Sequence, residues 1–484
     1  MLFDFIKRKK VLSWSLFFLF LEIVSFCVYK NIFWNNVVVV ILGLGILVLT
    51  YKKPLLSFIL VIVELVLGGF GYWFVFTFGD HRISERMIFM GSFLLGWLLW
   101  RVFKKNKVIN WKKYWEKLKY WILILGLILF AFVLGYWHGY VFLFKDVNAW
   151  LFLFYIVPIA DFLLNISIEQ KARLKNDFIN IFLAGLIVLA FKVLITFFLF
   201  AHGFLIIDSL YTWIRDTRIG EITPAGGGLY RVFFQSAIYI VLALVMMLPQ
   251  VWEEKKNTWS FSILFVFFLS VLIISLSRSF WLAFGIVLIG IYIYFAWIFK
   301  KLFIKKIVLL FLWLVASLGF LSFLILLPVN KNNSQIALSR LLVQRTDLQD
   351  EAISSRWNLL PIMLEAIKGH WVVGYGFGKT LEYKSNDPRI RQQNSEGYFR
   401  TYAFEWGWLS FMLKFGLIGV FVFIFWLGSI FWNVKGTSYD KKVKLGIYFS
   451  GLLLVVVHFF TPYLNHPLGF GWLILIQSLF LIDS

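Results

Sequence analysis

The sequence predicts an all-α, polytopic membrane protein with about 14 transmembrane helices and a large extracytoplasmic loop that contains short helices. Three observations predict it. Hydrophobic residues make up 61% and aromatic residues 21% of the 484 residues, beyond what a soluble domain carries. These residues are gathered into runs of about 17–25, the length that crosses a bilayer as a helix. The net charge is +22, yet Lys and Arg sit in short connections between the runs and not on one continuous face. That is the positive-inside pattern, and it argues against a nucleic-acid partner.

In chain order the apolar runs cover roughly 11–29, 33–50, 54–78, 87–103, 120–137, 149–166, 178–201, 232–250, 260–276, 280–299, 307–328, 403–432, 445–460 and 467–482. The chain starts MLFDFIKRKK, a basic opening with no small-residue cleavage pattern after the first run, so that run reads as a retained helix. Basic residues recur at Lys7 to Lys10, Lys52-Lys53, 101–119, Lys171 to Lys175, Lys255-Lys256, Lys300 to Lys306 and Lys435 to Lys444. Assigning these connections to the cytoplasm places both termini inside, and puts a small loop, 202–231, and a large one, 329–402, outside. With no repeat and no long linker, residues 1–484 read as a single integral membrane domain, the large loop carrying part of the active site. The lone cysteine, Cys27, excludes an intrachain disulfide and is expected to be a buried thiol.

The most informative stretch is the mostly polar segment 354–419. Leu360, Met363, Leu364 and Ile367 recur at helical spacing between a capping Ser354-Ser355 pair and a terminating Gly369. The resulting helix of about 14 residues is too short to span, and is expected to lie along the membrane surface. Gly374-Tyr-Gly376-Phe-Gly378 is expected to turn several backbone N–H groups toward an anion. A membrane helix then begins at about Tyr402, with Glu405 at its mouth and Met412, Gly416 and Gly419 on the same face.

These positions nominate a site. Arg278, in the tight Ser277-Arg278-Ser279 junction, is expected to join Arg215, Arg218 and Arg356 on a multiply charged phosphate, which guanidinium groups grip in bidentate fashion. Glu405 is the candidate base: a partly desolvated carboxylate with a raised pKa accepts a proton from a hydroxyl. Its structural alternative is an ion pair with a neighbouring arginine such as Arg400. Glu396 is the reserve base, and Arg400, Glu396, Gly374 and Gly376 are possible substrate contacts. Glu22, Glu64, Asp161 and Lys192 fall in separate apolar runs, where structural or snorkelling roles are expected. The six histidines have no paired ligand spacing, and no Walker loop, dinucleotide fingerprint or nucleophile elbow is present. No metal and no cofactor are expected.

At these residues the chain resembles the O-antigen ligase and polysaccharide polymerase superfamily of bacterial membrane glycosyltransferases. Ser277-Arg278-Ser279 before an apolar helix is similar to that family's Ser-Arg junction, and Arg356-Trp-Asn-Leu-Leu360 to its Arg-x-x-x-Leu element, continued to Gly374-x-Gly376-x-Gly378. Gly416 and Gly419 match the glycines of its helix entry, whereas Glu405 stands where the family has a histidine. The resemblance, over about 205–430, implies a metal-independent, inverting transfer of a glycan from an undecaprenyl-diphosphate-linked oligosaccharide to an acceptor hydroxyl on a glycan or lipid. It implies an active site on the outer face of the bacterial cytoplasmic membrane, membrane lipids as partners, and the histidine's proton-accepting role for Glu405. The alternative is a multi-pass transporter or flippase of lipid-linked glycan or a small anion, with Glu64 and Asp161 coupling protons. Against it stand the absence of an inverted repeat and of paired broken helices in the sequence.

Overall fold

The computed structural model describes residues 9–103, 111–226, 229–252, 259–300, 303–328, 351–385, 390, 394 and 396–483. Residues 329–350 of the expected large loop, and most of 386–395, therefore lie outside the described residues. The helices are α1 (Lys9–Val28), α2 (Ile32–Lys52), α3 (Pro54–Gly68), α4 (Glu85–Phe103), α5 (Trp111–Trp137), α6 (Leu143–Val147), α7 (Ile156–Leu164), α8 (Ile168–Ala201), α9 (Ile207–Asp216), α10 (Ile238–Val251), α11 (Trp259–Ser275), α12 (Arg278–Phe299), α13 (Ile304–Leu326), α14 (Glu351–Gly369), α15 (Gly407–Lys435), α16 (Lys441–Phe460) and α17 (Pro467–Asp483). Three antiparallel hairpins join them: β1 (Val75–Phe78) with β2 (His81–Ser84), β3 (Gly220–Gly226) with β4 (Leu229–Phe234), and β5 (Leu381–Lys384) with β6 (Tyr398–Thr401).

The all-α polytopic membrane fold is the observed one. Among the described residues 10 helical segments are long and apolar enough to cross a membrane, and four apolar helices are shorter. Each predicted apolar run contains one of these. The runs are not uniformly helical, however. That over 54–78 stops being helix at Gly68, because Gly69 and Gly71 take positive φ and turn the chain into β1. A Cβ on Gly69 would meet the Ile219 carbonyl oxygen at 3.1 Å. The run over 149–166 opens as a 3-10 helix, Asn148–Tyr155, and that over 232–250 begins inside β4. Cys27 is exposed on α1, not buried, since its turn of the helix faces away from the packed side.

The chain divides into two compact units, 1–107 with 161–345 and 439–450, and 108–160 with 346–438 and 451–484, so that α7 and α16 are each shared between them. The first gathers α1–α4 and α8–α13. Its centre is built from helices that are apolar all round, a composition that suits burial on every side. Every residue of α3 from Val61 to Gly68 is buried, as is most of α10. The second gathers α5, α6, α14, α15 and α17, and its β5–β6 hairpin.

Buried charges in the first unit are matched. Lys192 on α8 meets Glu22 on α1 at 2.7 Å, and Trp73 Nε1 donates to the other oxygen of Glu22 at 3.0 Å. Arg86 forks onto Glu64 with contacts of 2.8 and 3.0 Å and donates to Gly69 O at 2.7 Å. Beside it Glu85 accepts the N–H groups of Trp73 and Phe74, at 3.0 and 3.1 Å. Asp161 accepts from Trp97 Nε1 at 2.8 Å and pairs with Arg101 at 3.0 Å. An unpaired charge in hydrocarbon is so costly that each of these partners holds its element in register. Glu64 and Asp161, the groups a proton-coupled transporter would use, are thus both engaged in ion pairs.

Replacing Lys192 with methionine leaves Glu22 charged and uncompensated, and should lower unfolding stability by about 3–5 kcal/mol. Adding Glu22→Leu should restore much of the loss. Thermal or denaturant unfolding in detergent micelles, comparing the single and double variants, checks both.

Candidate functional site

In the second unit α14 delivers a cation to a carboxylate. Its buried stripe is Leu359, Met363 and Ile367, which packs with Leu381, Phe404 and Leu413; Leu364, expected in the stripe, is exposed. Arg356 lies on the same helical face, one turn before Leu359, so packing the stripe brings its guanidinium to Glu405. The two form an ion pair through Arg356 Nε and Glu405 Oε2. Trp406 Nε1 donates to the Arg356 carbonyl at 3.0 Å and Trp357 packs edge-on to Trp406 at 5.7 Å, which fixes this turn. Helix α14 has 19 residues and starts at Glu351, so Ser354-Ser355 are inside it and do not cap it.

Glu405 comes one residue before Trp406, the N-cap of α15. Its side chain is 52% exposed and that of Arg356 40%, so the carboxylate is an exposed, ion-paired group and not the desolvated one the sequence suggested. Its partner is Arg356 and not Arg400, whose Nε donates to Thr380 Oγ1 at 2.8 Å across the β5–β6 hairpin. Glu396 is exposed in a turn, where its N–H donates to Asn394 Oδ1 at 3.1 Å.

The glycine-rich turn overturns the anion-cradle expectation. Its N–H groups are all spent inside the protein: Gly374 on His370 O, Tyr375 on Leu413 O, Gly376 on Lys414 O, Phe377 on Ala131 O and Gly378 on Asp146 Oδ2, at 2.8–3.1 Å. None is left for a ligand. The reason is a break in α15. Gly416 has φ 61 and ψ −170, so the carbonyls of Leu413 and Lys414 lose their helical donors, Leu417 and Ile418. Tyr375 and Gly376 supply the donors instead, while Leu417 N–H and Ile418 N–H turn to Trp371 O and Val372 O at 2.8 and 3.2 Å. Segment 371–376 is thereby spliced into the helix, two bonds given and two taken.

A buried ion pair locks the splice. Lys414 Nζ meets Asp146 Oδ1 at 2.6 Å, while the other Asp146 oxygen takes the Gly378 N–H at 2.9 Å. Fully buried Trp150 fills the space around it against Phe377, Phe411, Phe415 and Phe470, with ring centroids 4.9–5.8 Å apart. Asp146 was not foreseen at all. Nothing in its local sequence, Leu-Phe-Lys-Asp-Val, separates it from a solvated loop acid.

In the first unit Arg278 opens α12 behind its N-cap Ser277, which makes no side-chain capping bond. A cation at a helix N-terminus opposes the helix dipole, whose positive end favours an anion. Sequence reasoning missed Arg231 on β4. Its Nε donates to Ser275 O at 3.0 Å, tying the hairpin to the strained junction in which Leu276 has φ 44. Arg215 is exposed on α9 and donates to Tyr211 Oη at 3.0 Å. Arg218, with φ 52, lies 4.6 Å over the Tyr72 ring.

The fold and these residues define a polytopic α-helical membrane protein with an arginine–carboxylate pair at the start of one apolar helix. Residues 263–424, about a third of the chain, match the family model of O-antigen ligase. That stretch contains Arg278, Arg356, Gly374, Gly376, Glu405 and Gly416, and the match supports the O-antigen ligase and polysaccharide polymerase superfamily. It likewise supports a membrane enzyme of O-antigen or polysaccharide synthesis with a glycosyltransferase-type reaction. No curated protein and no solved structure matches the chain.

A Cβ on Gly416 would lie 2.2 Å from Val372 O at a φ that side chains avoid, whereas one on Gly428 would meet no atom within 4 Å. Gly416→Ala should therefore cost about 1–3 kcal/mol from the backbone conformation alone, with the steric overlap added, and Gly428→Ala no more than about 0.5 kcal/mol. Unfolding midpoints of the two variants in one detergent give the comparison.

Proposed function

We propose that the protein transfers a glycan from an undecaprenyl-diphosphate donor to an acceptor hydroxyl during cell-surface polysaccharide synthesis. The reaction takes place at the outer face of the bacterial cytoplasmic membrane, with both termini in the cytoplasm. The match over residues 263–424 carries this reading, because the Arg356–Glu405 pair falls within it.

The chemistry follows from charge. The acceptor hydroxyl attacks the anomeric carbon from the face opposite the diphosphate, the bond from that carbon to the diphosphate oxygen breaks, and the configuration inverts. Glu405 takes the hydroxyl proton. Its half-exposed carboxylate spends one lone-pair site on Arg356 and keeps others open. As the family resemblance implies, guanidinium groups at Arg215, Arg218, Arg278 and Arg356 are proposed to offset the charge on the departing diphosphate, since guanidinium pairs with phosphate oxygens in bidentate fashion. Arg278 has the further support of its place at the first turn of α12, the positive end of the helix dipole. Arg400 and Glu396, exposed on and beside the β5–β6 hairpin, are proposed to contact the glycan. Gly374 and Gly376 act through the backbone splice and not as ligands. The diphosphate linkage already holds the energy, so no ATP is needed, and the arginines are proposed to stabilise the leaving group without a metal. Transfer to another repeat unit, a polymerase reaction, is favoured slightly over ligation to a lipid.

Purified protein in liposomes with a radiolabelled undecaprenyl-diphosphate oligosaccharide tests this by chain length and lipid-diphosphate release. Arg278→Ala and Glu405→Gln should each lower transfer by about 100-fold or more, Arg356→Lys by about 10-fold, and Glu396→Gln by less. Transfer that persists in Glu405→Gln removes the base. Movement of the labelled lipid between leaflets without any transfer overturns the glycosyltransferase in favour of a transporter.

A further inference from the structure

A cavity of about 410 Å³ lies among α10, α11, α12 and α13, in the first unit. Single-ligand sites span about 300–1,000 Å³, so this volume suits one chain of a lipid. Its floor, Trp252, Phe265 and Leu269, is buried, while rim residues such as Ile289 and Phe311 are exposed. The cavity is therefore a groove with an apolar interior, open along the side of the helices. It sits at the C-terminal end of α10, in the N-terminal half of α13, and midway along α11 and α12. Trp252 follows the last residue of α10, Phe265 belongs to the first half of α11, Ile289 to the second half of α12 and Phe311 to the first half of α13. On α12 the lining runs from Phe284 to Tyr292, the middle of that helix, beyond the Ser277-Arg278 junction.

The groove does not end blindly. From Trp252 an aromatic ladder continues through Phe295, Phe299 and Phe303, with ring centroids 5.6, 6.0 and 5.7 Å apart. Between the last two rungs in sequence is Lys300, exposed at the C-terminal end of α12, and Lys305 and Lys306 lie in the first turn of α13. An apolar slot that leads by aromatic rings to a basic turn has the profile of an interfacial site for an anionic amphiphile: hydrocarbon in the slot, rings at the boundary, phosphate beside the cations.

We propose that this groove binds an anionic phospholipid, one acyl chain lying against Trp252, Phe265 and Leu269 and the headgroup phosphate held by Lys300. The site is separate from the Arg278 junction, and it stands whether or not the protein is a glycosyltransferase. Under the expected topology it takes its lipid from the cytoplasmic leaflet.

A phosphatidylglycerol bearing a diazirine on one acyl chain, compared with the matching phosphatidylcholine in nanodiscs of the full chain, tests it by mapping the labelled peptides. Phosphatidylglycerol should label α10–α13 groove residues at least about three-fold more than phosphatidylcholine does. Lys300→Ala should remove that preference, and Leu288→Trp, which fills the groove wall, should lower labelling by both lipids several-fold. Labelling by both lipids at equal strength, or spread evenly over all lipid-facing helices, overturns the proposal. So does displacement of the probe by a polyprenyl phosphate but not by unlabelled phosphatidylglycerol, an outcome that assigns the groove to the donor's tail. The wild-type comparison decides the matter even if a variant fails to fold.

Discussion

Within the second unit everything near the candidate site depends on how the break at Gly416 is satisfied. Inside hydrocarbon an unpaired backbone group costs several kcal/mol, so a helix that breaks there must find other partners for its orphaned donors and acceptors. Here they come from segment 371–376, whose own N–H groups are thereby consumed. That exchange ties the end of α14 to the middle of α15. With the two helices joined, the stripe Leu359, Met363 and Ile367 packs on Leu413 and Phe404, and Arg356 arrives at Glu405.

The electrostatics show two kinds of ion pair. Glu22–Lys192, Glu64–Arg86 and Asp146–Lys414 are buried, each with a further hydrogen bond to the carboxylate or to its cation, and so serve as registers between helices. Arg356–Glu405 is exposed and contributes little to stability. An exposed pair exchanges partners readily, which suits the roles proposed for Arg356 and Glu405. The difference between the two classes is solvent access, and it is what favours the second pair in the proposed reaction.

Several candidates changed character once neighbours were visible. Gly374, Gly376 and Gly378 do form a positive-φ turn, as their spacing suggests, but what the turn faces is a broken helix and not an anion. Glu405 does form an ion pair, though with an arginine 49 positions away and not with nearby Arg400. Asp146 and Arg231 were invisible, since the first is matched by Lys414 from 268 positions on and the second by a carbonyl 44 positions on. Local sequence holds no trace of such partners.

The sequence by itself determined the membrane class and the approximate place of each apolar helix, because hydrophobic length is a one-dimensional quantity and burial in lipid needs no particular neighbour. It also marked Arg278, Arg356 and Glu405, since charged groups beside long apolar runs are costly and so stand out. Only the tertiary structure decided where helices end early, as α3 does at Gly68, and where one breaks, as α15 does at Gly416. Those outcomes turn on which backbone groups distant segments can satisfy. Hydrogen-bond partners are set by packing in three dimensions, and no periodicity along the chain encodes them.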